Sequence, residues 1–233
     1  MIEEILNGLK SKDSKYIAKA ISMIENSNSE SEILLKEVNK KNKHSMRIGI
    51  TGPPGAGKST ITNQLIQNLR EENKSVCALL VDPTSPFTKG AILGDRIRIT
   101  NKHNDKNLFI RSIASRGFKG GLADNIDSIA EILEYAGFDI IIFETVGVGQ
   151  IELDVVELVD TVGVVLVPES GDDIQIMKAG LIEIADIYII CQATFTTPTS
   201  QTSYKHIWII IILSHSNSIS KYSTICKRTR RIN

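Results

Sequence analysis

The sequence predicts an α/β fold: a mainly parallel sheet with helices on both faces, preceded by a helical extension. Three observations carry this. Short apolar runs alternate with helical stretches from about residue 45 to residue 190. The runs are predominantly apolar, as strands covered on both faces require. Alternation of this kind implies parallel pairing through helical crossovers. A chain of 233 residues accommodates one such domain with appendages.

Residues 1–44 read as a helical extension. Ile2, Ile5, Leu6 and Leu9, then Ile17, Ala18, Ala20, Ile21 and Ile24, recur at helical spacing. Asn26-Ser27-Asn28-Ser29 is a turn, Glu32 to Val38 a further short helix, and Lys40 to Lys43 a basic linker. The extension is expected to pack on the domain that follows.

The stretch Arg47-Ile48-Gly49-Ile50-Thr51-Gly52-Pro53-Pro54-Gly55-Ala56-Gly57-Lys58-Ser59-Thr60 organises the rest. It reads as a buried strand, a glycine-rich loop and a helix from about Lys58 to Glu71, which is the context that G-x-x-x-x-G-K-[ST] needs to be a phosphate-binding loop. Glycine at 52, 55 and 57 lets the backbone turn its N–H groups inward. The helix adds its positive N-terminal end. Lys58 can reach the β- and γ-phosphates, and the Ser59 hydroxyl is suited to Mg²⁺. The motif narrows the fold class to that of the P-loop NTPases.

Ser75 to Val81 is a second strand ending in Asp82. Pro83 to Thr100 has no sustained period and is long for a structureless loop, which marks it as functional or disordered. Leu108 to Ile113 is a strand, followed by Ser115 to Gly121 and a helix from about Leu122 to Tyr135. Phe138 to Phe143 is a strand ending in Glu144, Thr145 to Gln150 a second glycine-bearing loop, and Glu152 to Val159 a short helix. Thr161 to Val167 and Asp186 to Ile190 are further strands, separated by a loop and a helix to about Ile184.

Ligands gather at the carboxyl ends of strands in such sheets. Asp82 and Glu144 both sit at strand ends, so both are expected on the rim of the phosphate loop, where a carboxylate can serve Mg²⁺ directly or through water. The alternative is that either acid caps the loop or helix that follows.

The formal net charge of zero conceals an asymmetry. No acid follows Asp186, and residues 191–233 hold six Lys or Arg, 14 Ser or Thr and no glycine. Cys77, Cys191 and Cys226 have neither metal nor redox spacing, which fits a reducing, cytoplasmic setting. His44, His103, His206 and His215 likewise lack metal spacing and read as surface or loop residues. The longest apolar run in the C-terminal part, Ile207 to Leu213, is far short of the ~20 residues that span a bilayer. The acidic N-terminus does not read as a secretory signal, and neither a membrane nor a nucleic acid is expected as partner.

Six stretches occur in order: Gly52 to Thr60, Val81-Asp82-Pro83-Thr84-Ser85, Gly90 to Arg98 with its Ile92-Leu93-Gly94-Asp95, Ser115-Arg116-Gly117, Glu144-Thr145-Val146-Gly147-Val148-Gly149-Gln150 and Gly171 to Lys178. Together they resemble the MeaB/ArgK family of P-loop GTPases, also labelled lysine-arginine-ornithine transport ATPases or kinases. The resemblance covers about residues 45–190. It implies a GTPase that serves as chaperone to adenosylcobalamin-dependent acyl-CoA mutases, chiefly methylmalonyl-CoA mutase, and that forms homodimers.

The resemblance also implies roles for matching positions. Gly52, Pro53, Pro54, Gly55, Ala56, Gly57, Lys58, Ser59, Thr60 and Gly147 would hold GTP or GDP. Ser59, Asp82, Asp95 and Glu144 would form the Mg²⁺ environment, and Lys58, Glu144 and Gln150 the catalytic set. Asp95 would lie in a first switch, Gly147 to Gln150 in a second that senses the γ-phosphate, and Gln175 and Lys178 in a third facing the partner. Composition alone favours an ordinary polar loop for the third. Arg96, Arg98 and Arg116 are candidates for an arginine finger.

The chain departs from the family after Ile190. Where the family places N-K-x-D, whose Asp reads the guanine edge, this sequence has Cys191-Gln192-Ala193-Thr194. Without that acceptor, discrimination between GTP and ATP is expected to weaken. Residues 191–233 are expected to be an atypical tail, disordered or read from a shifted frame, and to lack the helices with which the family pairs its subunits. An ATP-using kinase or transport ATPase, and an inactive remnant, are the competing functions.

Overall fold

The structure is a computed structural model that describes residues 1–26, 29–40, 44–82, 105–114, 122–145, 157–166, 185–195, 204–215, 218–222 and 230–231. Three helices come first, α1 (Ile2–Lys10), α2 (Ser14–Glu25) and α3 (Ser29–Val38). Asp13 caps α2, its side chain accepting from the Lys15 N–H at 2.9 Å. Then follow β1 (Met46–Thr51), α4 (Lys58–Glu71), β2 (Val76–Asp82), β3 (Leu108–Ala114), α5 (Leu122–Ala136), β4 (Ile140–Thr145) and β5 (Thr161–Leu166). The chain continues as β6 (Ile187–Phe195), β7 (Tyr204–His215), β8 (Ser218–Tyr222) and β9 (Arg230–Arg231).

All strands join one sheet in the order β3-β2-β4-β1-β5-β6-β7-β8, with β9 on β7. The first six are parallel, and β7 to β9 add antiparallel. This is the expected α/β architecture with β1 at its centre. Residues of one strand alternate between the two faces. Cys77, Leu79 and Val81 of β2, with Ile141 and Phe143 of β4, pack under α1, α2, α3 and α5. Val76 and Ala78, with Ile140 and Ile142, pack under α4 through Ile61 and Ile66. Burial pushes the Cys77 thiol well above its usual range, so this cysteine behaves as a core residue.

The N-terminal helices are part of the core of the domain. Ile5, Leu9, Ile17, Ile21 and Leu34 are buried in the same cluster as α5. Arg111 of β3 fastens them to the sheet, donating to the Ala18 carbonyl at 2.8 Å, to Ser22 Oγ at 2.9 Å and to the Glu25 carboxylate.

Three aspartates that lead into strands close the amino ends of neighbouring ones. Asp139 accepts from the Ser75 N–H at 2.7 Å, Asp160 from the Arg47 N–H at 2.8 Å, and Asp186 from the Val162 N–H at 2.8 Å. Each satisfies a backbone donor that the sheet ladder leaves open. Glu144, at the opposite rim, accepts instead from the Ser59 side chain.

Several expectations shift. Glu157 and Leu158 form a turn rather than the end of a helix, while residues 151–156 lie outside the described residues. β6 runs past Ile190 to Phe195, because Cys191 to Phe195 pair with Ile209 to Lys205 of β7 after β5 has ended at Leu166. His206 and His215 belong to β7 rather than to a loop, and His44 is exposed ahead of β1. No helix among the described residues is long and apolar enough to cross a membrane.

Candidate functional site

β1 ends at the sheet centre and the chain turns through Gly52 to Gly57 into α4. All three glycines of this loop have positive φ: +139° at Gly52, +76° at Gly55 and +93° at Gly57. At Gly52 a second constraint applies, since a Cβ there would lie 2.2 Å from the Val165 carbonyl oxygen of β5. At Gly55 a Cβ would meet nothing within 4 Å, so its glycine answers to backbone conformation alone. Ala56 N–H closes the turn on the Pro53 carbonyl at 3.2 Å.

Gly57 caps α4, and its carbonyl accepts from the N–H groups of Thr60 and Ile61. The first turn of a helix carries N–H groups with no partner inside the helix, and these with the axial dipole favour an anion. Lys58, only 6 % exposed, donates from Nζ to the carbonyls of Gly52 at 2.7 Å and Pro53 at 2.9 Å. The loop thus carries its ammonium folded against its own backbone.

Glu144 stands beside Ile50 in the register of β4 on β1, and it is 1 % exposed. Its Oε1 accepts from Ser59 Oγ at 2.5 Å. Its Oε2 is buried with no hydrogen-bond partner among the described residues. A buried carboxylate oxygen in that position calls for a donor or a cation. Hard oxygen atoms of Ser and Glu suit Mg²⁺, which takes few protein ligands and completes its shell with water and phosphate. Among the described residues no three of His, Cys, Asp and Glu gather as a metal cluster. The Ser59 and Glu144 pair therefore fits Mg²⁺ and does not resemble an all-protein metal cage.

The structure brings Gly52, Pro53, Pro54, Gly55, Ala56, Gly57, Lys58, Ser59, Thr60 and Glu144 to one rim. Asp82 closes β2 on that rim, one position beyond the pair Val81 and Thr145. Asp95, Gly147, Gln150, Gln175 and Lys178 lie outside the described residues, as do Arg96, Arg98 and Arg116. Sequence reasoning passed over Thr51 and Thr145, which lie 1 % exposed at the ends of β1 and β4. Thr145 Oγ1 donates to Thr51 Oγ1 at 3.0 Å. The available signal was their position, each directly before a glycine-bearing loop.

The family described as methylmalonyl-CoA mutase-associated GTPase MeaB matches residues 17–228. A Pyrococcus horikoshii protein carrying a GTPase name is 47 % identical over 192 residues, which are 82 % of this chain and 61 % of that protein. GTPase ArgK of Escherichia coli is 38 % identical over 165 residues, 71 % of this chain and 50 % of its own length. The crystal structure of an LAO/AO transport system kinase superposes with a TM-score of 0.60 at 26 % identity, over 79 % of this chain and 54 % of that one. The chain spans about half to three fifths of the length of the curated relatives it matches.

Proposed function

The chain belongs to the MeaB family of P-loop GTPases, and on that premise we propose that it binds GTP with Mg²⁺ over the phosphate loop and hydrolyses the γ-phosphate. The observation that carries the reading is the rim itself. A glycine loop, a buried lysine and the pair of Ser59 with Glu144, whose Oε2 has no hydrogen-bond partner among the described residues, meet at the end of β1.

In this reading the loop N–H groups and the α4 terminus bind the phosphates, and Lys58 exchanges its carbonyl partners for phosphate oxygens. Ser59 and Glu144 would hold Mg²⁺, which when bound neutralises charge on the phosphate oxygens. Glu144 orients the Ser59 hydroxyl through Oε1, and its buried Oε2 is the oxygen left to the ion. Asp82 supplies further negative charge at the same rim, and Asp95 and Gln150 are proposed to complete the set. Catalysis is then positioning and charge stabilisation with no covalent intermediate. GDP release returns the loop to its starting contacts.

The family description names association with methylmalonyl-CoA mutase, which supports a mutase of that kind as protein partner. That this mutase is adenosylcobalamin-dependent and that the chain serves it as chaperone in the cytoplasm belong to the same proposal. A second reading is that ATP is also accepted. It is favoured by the extension of β6 to Phe195 as strand and by Cys191-Gln192-Ala193-Thr194 standing where the guanine-reading N-K-x-D is expected. The test is turnover of GTP and of ATP by the purified chain, with and without Mg²⁺. Phosphate release from GTP that requires Mg²⁺ supports the proposal, and none with either nucleotide ends it.

A further inference from the structure

The two ends of the phosphate loop are tied to two consecutive residues of one neighbouring strand. Thr51, the last residue before the loop, accepts a hydrogen bond from Thr145 at 3.0 Å. Ser59, the second residue of α4, donates to Glu144 at 2.5 Å. Glu144 and Thr145 are adjacent at the end of β4, so their side chains leave opposite faces of the sheet. The alternation places Glu144 with Ile140 and Ile142 on the α4 face, and Thr145 with Ile141 and Phe143 on the other.

The two contacts differ in chemistry. Glu144 belongs to the group that faces phosphate and cation, while Thr145 offers only a hydroxyl to a second hydroxyl inside the protein. Both threonines are 1 % exposed, so water does not compete for this bond. A buried hydroxyl pair of this kind fixes orientation in a way that an apolar pair does not, since the bond requires one donor direction. Thr145 begins the second glycine-bearing stretch, Thr145 to Gln150, and through its bond to Thr51 a shift at residue 145 reaches the start of the phosphate loop.

We propose that Thr145 is a positioning residue for nucleotide hydrolysis, with its hydroxyl bond to Thr51 holding the end of β4, and so the Glu144 carboxylate, in register with the phosphate loop. It rests on the hydrolase reading above. Thr145 does not touch phosphate in this account, so its loss acts on turnover and leaves nucleotide affinity nearly intact.

The experiment is a double-mutant cycle on the full chain with Mg²⁺-GTP and Mg²⁺-ATP, using Thr145→Val, Thr145→Ser, Thr51→Val and the double Val variant. Thr145→Val keeps the shape and removes the donor. Its kcat is expected to fall roughly five- to tenfold while KM moves by less than about threefold. Thr145→Ser restores kcat to within about twofold, and the double variant is no slower than the slower single one, as coupled partners require. Equal kcat in Thr145→Val and the parent overturns the proposal, as do failure of Ser to rescue and additive losses in the double variant. Circular dichroism and a thermal melt show whether each variant is folded, and Thr51→Val, which removes the acceptor of the same bond, carries the test if Thr145→Val is not: a kcat equal to that of the parent then overturns the proposal. A parent chain that neither binds nor turns over nucleotide removes the hydrolase reading and this proposal with it. A parent that turns over while Thr145→Val is unaffected removes this proposal alone.

Discussion

Ser59 Oγ donates to Glu144 Oε1 at 2.5 Å across 85 residues of sequence, joining the first turn of α4 to the end of β4. The bond leaves Glu144 Oε2 buried and without a hydrogen-bond partner among the described residues. Ser59→Ala is expected to weaken Mg²⁺-supported nucleotide binding roughly tenfold or more, with a smaller effect on binding in EDTA. Glu144→Gln keeps the shape and removes the charge, and is expected to lower turnover roughly a hundredfold. Fluorescent-nucleotide titration over a Mg²⁺ series separates the two effects, and variants indifferent to Mg²⁺ would remove the pair from the site.

The glycines of the loop differ in their demands, and stability measurements should show it. Gly52→Ala meets both a positive φ and the Val165 carbonyl, which is backbone and cannot yield cheaply. A loss of more than about 3 kcal/mol is expected. Gly55→Ala meets open space and only the cost of the left-handed region, about 1 kcal/mol. Urea unfolding of the two variants should rank them in that order, and equal losses would contradict the close approach of the loop to β5.

Arg47 secures the far end of β1. Its Nε donates to Glu134 Oε1 at 2.9 Å and its Nη1 to Asp127 Oδ1 at 2.6 Å, with 13 % of its side chain exposed. Arg47→Met leaves the largely buried Glu134 without this cation, while Asp127 is open enough to hydrate. The expected loss is about 2 kcal/mol, below the roughly 3–5 kcal/mol of a fully buried broken pair. A chemical melt checks it, and the additional variant Glu134→Gln should recover part of the loss.

Much of the site was legible because its signals are local. Gly52 to Ser59 specify their own turn, helix start and phosphate chemistry within eight residues. Glu144 was legible through a rule of topology, as a polar end to an apolar run, which the register of Glu144 beside Ile50 makes concrete. The pairing of Thr51 with Thr145 was not, since it depends on which strands become neighbours and on which face each residue meets. The same holds for Arg47 with Glu134 and Asp127, whose partners lie 80 or more residues away. β6 passes the expected end at Ile190, where the sequence departs from the family pattern, because pairing with β7 carries the strand on through Phe195.

The central claim is that the loop around a buried ammonium, beside Ser59 and Glu144, holds a purine triphosphate. Calorimetric titration with Mg²⁺-GTP and Mg²⁺-ATP, on the parent chain and on Lys58→Ala, tests it most directly. The account predicts saturable one-site binding by the parent and a loss of roughly tenfold to a hundredfold in the variant, as removal of a charged hydrogen-bond donor implies. Folded parent chain that takes up neither nucleotide at millimolar concentration, or a variant that binds as tightly as the parent, would contradict it.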